Sequence, residues 1–363
     1  MSDILPSLLV ERRTSTEQPK DPAPRDLASQ VDDLYDRFGQ RKDMGAASQA
    51  PNLPHYFLLR TFLGQNDLLV ILNTKRCRYQ CAFCTLPAKS SKSWIPDAQV
   101  TAQFGHVVHE LKHALSVIDR VTLSNEGSIL DEATVGRSAV DEIVTAIGRM
   151  RRVRRIEIET RLEFVDSGRL RDLGKLARRA GIGILTGFET VSEPIRERHL
   201  KKRESLTAFL SGLDRVAEAG ASLTAYVLFK PDPAMTDEEA VLEAKASIGF
   251  LARECADREL PLAVRLNPMY LATGSRWART AETGGGYLPP RLTDVMRVAE
   301  EQAANGVPIY VGLSTEGLAG EEGSYARRED YSPSLVRYVK QFNDGGLARF
   351  PWDEILAAGA GAR

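Results

Sequence analysis

The sequence predicts an α/β protein built on a parallel sheet, and three observations carry this. From Asp67 onwards, apolar strand-like runs alternate with helix patterns in units of about 30 to 45 residues, the scale of βα repeats. Hydrophobic residues make up 43% of the 363, enough for a full core. A cysteine-rich loop follows directly on the first of the repeating strands. A doubly wound open sheet satisfies the alternation too, but it gives the cysteine loop no reason to be there.

The elements read in order as follows. Residues 1–24 are polar and proline-rich and are expected to be flexible. Leu27, Val31, Leu34 and Phe38 fall at helical spacing, which predicts a short amphipathic helix over 25–42, followed by the linker MGAASQAPNLP. YFLLRTF and DLLVILNT flank the turn GQND and predict two adjacent strands. The repeating strands are LLVILNT (68–74), RVTLSNE (120–126), RIEIETR (155–161), GILTGFE (183–189), LTAYVLFK (223–230) and AVRLNP (263–268). Helices are expected over 97–116, 138–150, 168–180, 205–219 and 236–258. Beyond about 275 the pattern is irregular: TGGGYLPPR is a loop, 291–304 a helix, VPIYVGL (307–313) a further strand and 333–343 a last helix. The expected division is a segment 1–54, a main domain 55–275, and a region 276–363 that caps it.

Formal net charge is −1, with charges of both signs interspersed, so no global field draws the chain to nucleic acid or anionic lipid. Three local basic runs, RMRRVRR (149–155), RLRDLGKLARR (169–179) and RERHLKKR (196–203), read as solvated outer faces of helices. There is no secretory signal and no apolar stretch of membrane-spanning length. Four cysteines in 363 residues argue for reduced thiols and a cytoplasmic location.

Three of those cysteines, Cys77, Cys81 and Cys84, stand in RCRYQCAFC with spacing C-x3-C-x2-C. Thiolates so close can hold three corners of a 4Fe–4S cube and leave one iron open for an outside ligand. Tyr79 and Phe83 can pack over such a cube, and Lys75 and Arg76 can offset its charge. Zinc is the other reading, with a fourth ligand from His106, His109, His113 or the distant Cys255. The three histidines sit on one side of the first repeat helix, outside the sheet, where a surface or interhelical role suits them.

This motif, with an aromatic residue immediately before its third cysteine, resembles the signature of the radical S-adenosylmethionine (radical SAM) superfamily. The resemblance implies a 4Fe–4S cluster whose open iron binds SAM, and reductive cleavage of SAM to a 5′-deoxyadenosyl radical. It also implies a fold, since six βα units resemble that superfamily's TIM-like partial (β/α)6 barrel. Asn125, Glu126 and Gly127 stand where the superfamily has a Gly-Gly-Glu-like segment that binds the SAM amino group, with Asn in place of the first glycine. Glu189, in GFET, resembles a ribose-contacting acid of the group containing the tRNA methylthiotransferases and the elongator catalytic subunit, and ETR (159–161) is similar to the same group. FETVSEPIRERHLKKR, YVLFKPDPAMTDEEA and RLNPMYLATGS look similar to members acting on modified nucleosides, including archaeosine-type synthases. The resemblance covers about residues 67–275.

Strand alternation adds an independent reading. Ile156 and Ile158 should face the helices, which turns Glu157, Glu159 and Arg161 into the barrel, to be paired there or to bind something polar. Glu159 and Arg161 are taken as SAM contacts. Tyr226 and Lys230 share the inward face of one later strand, Arg265 and Asn267 that of the next. Lys230 and Arg265 lead as partners for a substrate anion or the SAM carboxylate, with an ion pair to the buried acids as the alternative. Cys255, on a helix, is expected to pack; a hydrogen-donor role would need it to point into the cavity.

The expected function is hydrogen abstraction from a small molecule, such as a nucleoside, nucleotide or sugar, in a biosynthetic route, with flavodoxin or ferredoxin as electron donor. The rivals are a tRNA-modifying radical SAM enzyme and a non-catalytic zinc- or cluster-binding protein. No membrane partner is expected, and nucleic acid is disfavoured by the near-neutral charge.

Overall fold

The computed structural model describes residues 50–84, 90–112, 114–125, 127–269, 271–272, 275–284, 286–312, 323–324 and 332–345. The helix expected over 25–42 lies outside the described residues, as do Glu126 and His113.

The chain enters through a hairpin of β1 (Tyr56–Phe62) and β2 (Gln65–Ile71). Its turn is Leu63–Gly64, one step earlier than the GQND read from sequence, and both residues have positive φ (49° and 76°). A two-residue turn of this kind matches the twist of the flanking strands, and glycine reaches that conformation without strain. Parallel strands follow: β3 (Arg120–Ser124), β4 (Arg155–Glu159), β5 (Gly181–Glu189), β6 (Ser222–Phe229), β7 (Leu262–Pro268) and β9 (Ile309–Val311), with the two-residue β8 (Leu271–Ala272) between the last two. The sheet order is β1-β2-β3-β4-β5-β6-β7-β9. It is the curled sheet of a partial TIM-like barrel, with one more parallel strand than the six repeats; that strand comes from beyond residue 275.

The connecting helices are α1 (Asp97–Glu110), α2 (Arg137–Gly148), α3 (Ser167–Ala177), α4 (Leu206–Glu218) and α5 (Asp237–Ala256). They are followed by α6 (Arg276–Thr283), α7 (Leu292–Ala304) and α8 (Pro333–Asn343). Side-chain caps fix several starts; Thr236 and Glu239 form a reciprocal capping box at α5. Ile156, Ile158, Ile182, Ile184, Leu223, Val227, Val264 and Leu266 belong to the main apolar core, which also holds the buried helix residues. The sheet therefore turns these residues to the helices and the alternate ones inward, as the alternation of RIEIETR predicts. The edge strand β9 is protected by Asn343, whose side-chain amide exchanges two 2.8 Å hydrogen bonds with the Val311 backbone.

The amino end of the barrel is sealed by charge. Asp67 binds Arg60 at 2.8 Å and accepts from Thr122 at 2.8 Å. Glu157 meets Arg120 (3.4 Å), Arg155 (3.2 Å) and the Thr224 hydroxyl (2.7 Å). Phe62 and Tyr310, from the two open edges, stack with centroids 4.5 Å apart, and Arg120 lies over Phe62. Glu157, one of the inward charges, is thus consumed by the floor. Glu157→Ala should lower the unfolding free energy by about 3 kcal/mol in urea melts, because it leaves the buried Arg120 with only its longer 3.7 Å contact to Asp67.

Candidate active site

At the opposite end, residues 75–84 leave β2 as an extended loop that carries the three cysteines. Its path is fixed by backbone bonds: Lys75 N–H to Thr134 O (3.2 Å), Arg76 N–H to Ser91 O (2.8 Å) and Ala82 N–H to Leu200 O (2.7 Å). The Ala82 carbonyl accepts in turn from Trp277 N–H at 2.9 Å, and the Trp277 indole donates to Pro231 O. Beneath the loop a small apolar cluster of Ala82, Ile195, Leu200, Leu228, Met269, Trp277 and Ala281 plugs the barrel mouth, with Phe83 packed on it.

Burial raises the Cys77 and Cys81 thiols above the ordinary range. At Cys77 the Tyr79 N–H (3.4 Å from Sγ) opposes the shift, and at Cys81 the Lys202 and Arg161 charges do. Gly127 lies against the first cysteine: a Cβ there would stand 3.1 Å from Cys77 Cβ. Asn125 Nδ2 donates to Thr74 Oγ1 at 3.1 Å, while its buried Oδ1 has no partner among the described residues. That oxygen lies 3.6 Å from where the Gly127 Cβ would be, so an orphan acceptor and a glycine gap adjoin Cys77. A cavity of about 590 Å³ opens beside the loop, lined by all three cysteines and by Lys75, Arg76, Arg78, Lys92, Arg276 and Arg279. Three thiols, a cationic wall and an unsatisfied acceptor fit an anionic iron–sulfur cluster with a polar co-ligand. Among the described residues, no three His, Cys, Asp or Glu side chains gather closely enough to hold a single metal ion. Ligands on separate corners of a cube stand further apart than that.

Arg161 caps the end of β4 and spans to the cysteine loop. Its guanidinium lies 3.9 Å from the centroid of the Tyr79 ring and donates to Lys202 O (3.0 Å), Arg203 O (3.2 Å) and Glu163 Oε1 (2.7 Å). The Tyr79 hydroxyl, pushed up to about 12 by burial and by its bond to Glu163, stays neutral. Glu189 ends β5 at φ 71°, and its carboxylate fills the space a Cβ on Gly187 would take. Burial raises its pKa, offset in part by Lys202 (3.6 Å) and Arg196. Glu159, the last residue of β4, alternates with helix-facing Ile158 and so stands on the inner face.

The candidate residues of the later strands are placed less uniformly. Tyr226 and Arg265 are register partners, Arg265 lies over the Tyr226 and Tyr310 rings at 5.3 Å, and its Nε donates to Asn267 Oδ1 at 3.1 Å. Lys230, at φ 66°, is ion-paired with Asp237 at 2.7 Å, not with the barrel acids. It lines a second cavity of about 600 Å³ with His199, Asp232 and Tyr287. Cys255 lies in the core between α5 and the sheet, its thiol pushed up to about 12 by burial. It does not point into the barrel, so the condition for a hydrogen donor is unmet. His106 packs edge-on against Phe57 and His109 is exposed.

Sequence reasoning missed Lys202. The run 196–203 is the solvated face expected of it only in part: Arg198, Lys201 and Arg203 are exposed, but Arg196 and Lys202 are buried, held by Glu204 at 3.3 and 3.5 Å. Positive φ at Lys201 and Arg203 turns Lys202 inward. The acid immediately after the run was the one available signal.

No family model matches the chain. It is 24% identical over 274 residues to an uncharacterized protein of Methanocaldococcus jannaschii (74% of this chain, 73% of the relative). It is 26% identical over 288 residues to archaeosine synthase subunit beta of Thermococcus kodakarensis (76% and 84%). Among solved structures it is similar to queuine lyase from Clostridium spiroforme bound to SAM and queuine, at TM-score 0.39 and 14% identity (57% of this chain, 80% of that one). It is also similar to a spore photoproduct lyase mutant with bound AdoMet and dinucleoside spore photoproduct, at TM-score 0.46 and 16% identity (85% and 94%). No helix among the described residues is long and apolar enough to cross a membrane.

Proposed function

We propose that this chain is a radical SAM enzyme that abstracts hydrogen from a small molecule, a nucleoside, nucleotide or sugar, in a biosynthetic route. The observation that carries this is the presentation of Cys77, Cys81 and Cys84 at the carboxyl end of the parallel strands, where such folds place their chemistry, beside the Gly127 gap. A bound 4Fe–4S cluster would supply the electron that cleaves SAM to methionine and a 5′-deoxyadenosyl radical, with flavodoxin or ferredoxin as source. The three thiolates hold the cluster. Asn125, Glu126, Gly127, Glu159, Arg161 and Glu189 orient SAM. Tyr226, Arg265 and Asn267 line the inner barrel wall for the substrate, and Lys230 serves it from the second cavity.

A tRNA-modifying enzyme is the second reading, favoured by the relative named archaeosine synthase subunit beta. Against it, the runs 149–155 and 196–203 lie at opposite ends of the sheet, one before β4 and the other after β5. They cannot form one basic track at the mouth.

Protein purified without oxygen, reduced with dithionite and given SAM should release 5′-deoxyadenosine, detected by chromatography. An iron- and sulfide-loaded protein that produces none would leave a cluster-binding protein without this catalysis.

A further inference from the structure

Lysine is rarely buried, and the chain buries Lys202 against its own backbone preferences. Lys201 and Arg203, on either side, have φ of 51° and 55°, a left-handed conformation that strains any residue with a Cβ. Hydrogen bonds hold the strained segment in place. The Lys202 N–H donates to Arg196 O (2.9 Å), and Arg161 donates to Lys202 O (3.0 Å) and Arg203 O (3.2 Å). Arg196 Nη2 donates to Glu204 O at 3.0 Å. Strain that the surroundings over-determine in this way marks a position worth explaining by function.

The ammonium meets the end of β5. Its Nζ lies 3.6 Å from Glu189 Oε1 and 3.5 Å from Glu204 Oε2. Glu204 has a second cation, Arg196, at 3.3 Å. Glu189 has no other cation within ion-pair distance among the described residues, and burial works against its charge. Gly187, two residues earlier on β5, leaves room for the pair. A Cβ there would collide with the Glu189 carboxylate and stand 3.0 Å from Lys202 Nζ. Arg196 also ties the two backbones together, because it donates to Phe188 O and to Thr190 O (3.2 Å), on either side of Glu189. Glu189 itself is left-handed, at φ 71°. A buried ion pair adds little to stability, since desolvation offsets the attraction, so stability alone does not account for three strained residues.

We propose that Lys202 is a positioning residue of the SAM site, which holds the Glu189 carboxylate over Gly187, where it accepts hydrogen bonds from SAM. The inference rests on the reading that Glu189 orients SAM. A carboxylate paired with a cation accepts and does not donate, which suits the hydroxyls of a ribose. Lys202 acts through Glu189 and not by touching SAM.

The test is a double-mutant cycle of Lys202→Met and Glu189→Gln, read by equilibrium dialysis of labelled SAM with iron-loaded protein. Lys202→Met should weaken SAM binding about fivefold or more, while its iron, sulfide and circular dichroism match the parent. In the Glu189→Gln background the same replacement should change SAM affinity by less than about twofold, because the group that Lys202 holds is already uncharged. A lysine that only steadies the fold would lower affinity equally in both backgrounds. The double variant keeps Glu204 on Arg196, so its comparison with Glu189→Gln stands even where Lys202→Met does not fold. An equal loss in both backgrounds, or unchanged affinity in Lys202→Met, overturns this inference alone. So does a loss of about fivefold or more between Glu189→Gln and the double variant. Unchanged affinity in Glu189→Gln removes the acid from the SAM site and the inference with it. SAM binding that follows the cycle in a protein that releases no 5′-deoxyadenosine defeats the enzymatic reading alone.

Discussion

Replacing Cys77, Cys81 or Cys84 by alanine is expected to strip the protein of its iron and sulfide. The parent, purified without oxygen, should be brown and hold about four irons and four sulfides per chain. Each single replacement removes one of only three protein ligands, and the described residues around the loop offer no substitute thiol, since Cys255 is in the core beneath α5. Production of 5′-deoxyadenosine should fall to background in all three variants. Cys255→Ala should keep the full complement, at a stability cost of about 1 kcal/mol for a small buried group. The measurement is colorimetric iron and sulfide on the same samples. Stoichiometric zinc without sulfide would end the cluster reading. Because burial raises the Cys77 and Cys81 thiols, loading must release protons, and reconstitution should go faster as pH rises from neutral.

Arg161→Ala should weaken SAM binding by about ten- to a hundredfold while leaving most of the iron in place. Arg161 touches no cysteine ligand directly in the hydrogen-bond network; it lies over Tyr79 and ties down the carbonyls of Lys202 and Arg203. Without it those carbonyls lose a charged donor, and the loop loses its brace against β4. Glu189→Gln should act in the same direction and more mildly, because an amide still fills the space over Gly187. Equilibrium dialysis with labelled SAM on iron-loaded protein reads both. Unchanged affinity in Arg161→Ala would remove this residue from the SAM site.

The repeating strands and their helices were legible because each carries one strong period. RIEIETR gave the inward and outward faces of β4 correctly, and 333–343 gave α8 to the residue. Three things were hidden, each for a physical reason. The turn at Leu63–Gly64 depends on a positive φ at leucine, a residue that propensity does not assign there. The fate of Glu157 depended on Arg120 and Thr224, partners from strands distant in sequence. The burial of Lys202 required left-handed backbone at two flanking residues, Lys201 and Arg203, neither a glycine. At the site, the cysteines announced themselves through spacing alone. The cations of α6 did not, because Arg276 and Arg279 lie almost two hundred residues downstream of the loop they face, as the Arg276 contact to Gln80 shows.

The Ala82 peptide, gripped at its N–H by Leu200 and at its carbonyl by Trp277, imposes an order of manufacture. The cysteines leave the ribosome early, but the parts that hold their loop in shape are synthesised much later. Until Trp277 has emerged and α6 has docked, the bonds to Ser91, Thr134 and Leu200 hold the loop without the clasp on the Ala82 carbonyl. On the proposed reading, a cluster would be delivered late, to a chain that is largely folded. Nascent chains released just before residue 277 should refuse iron that chains released after α6 accept.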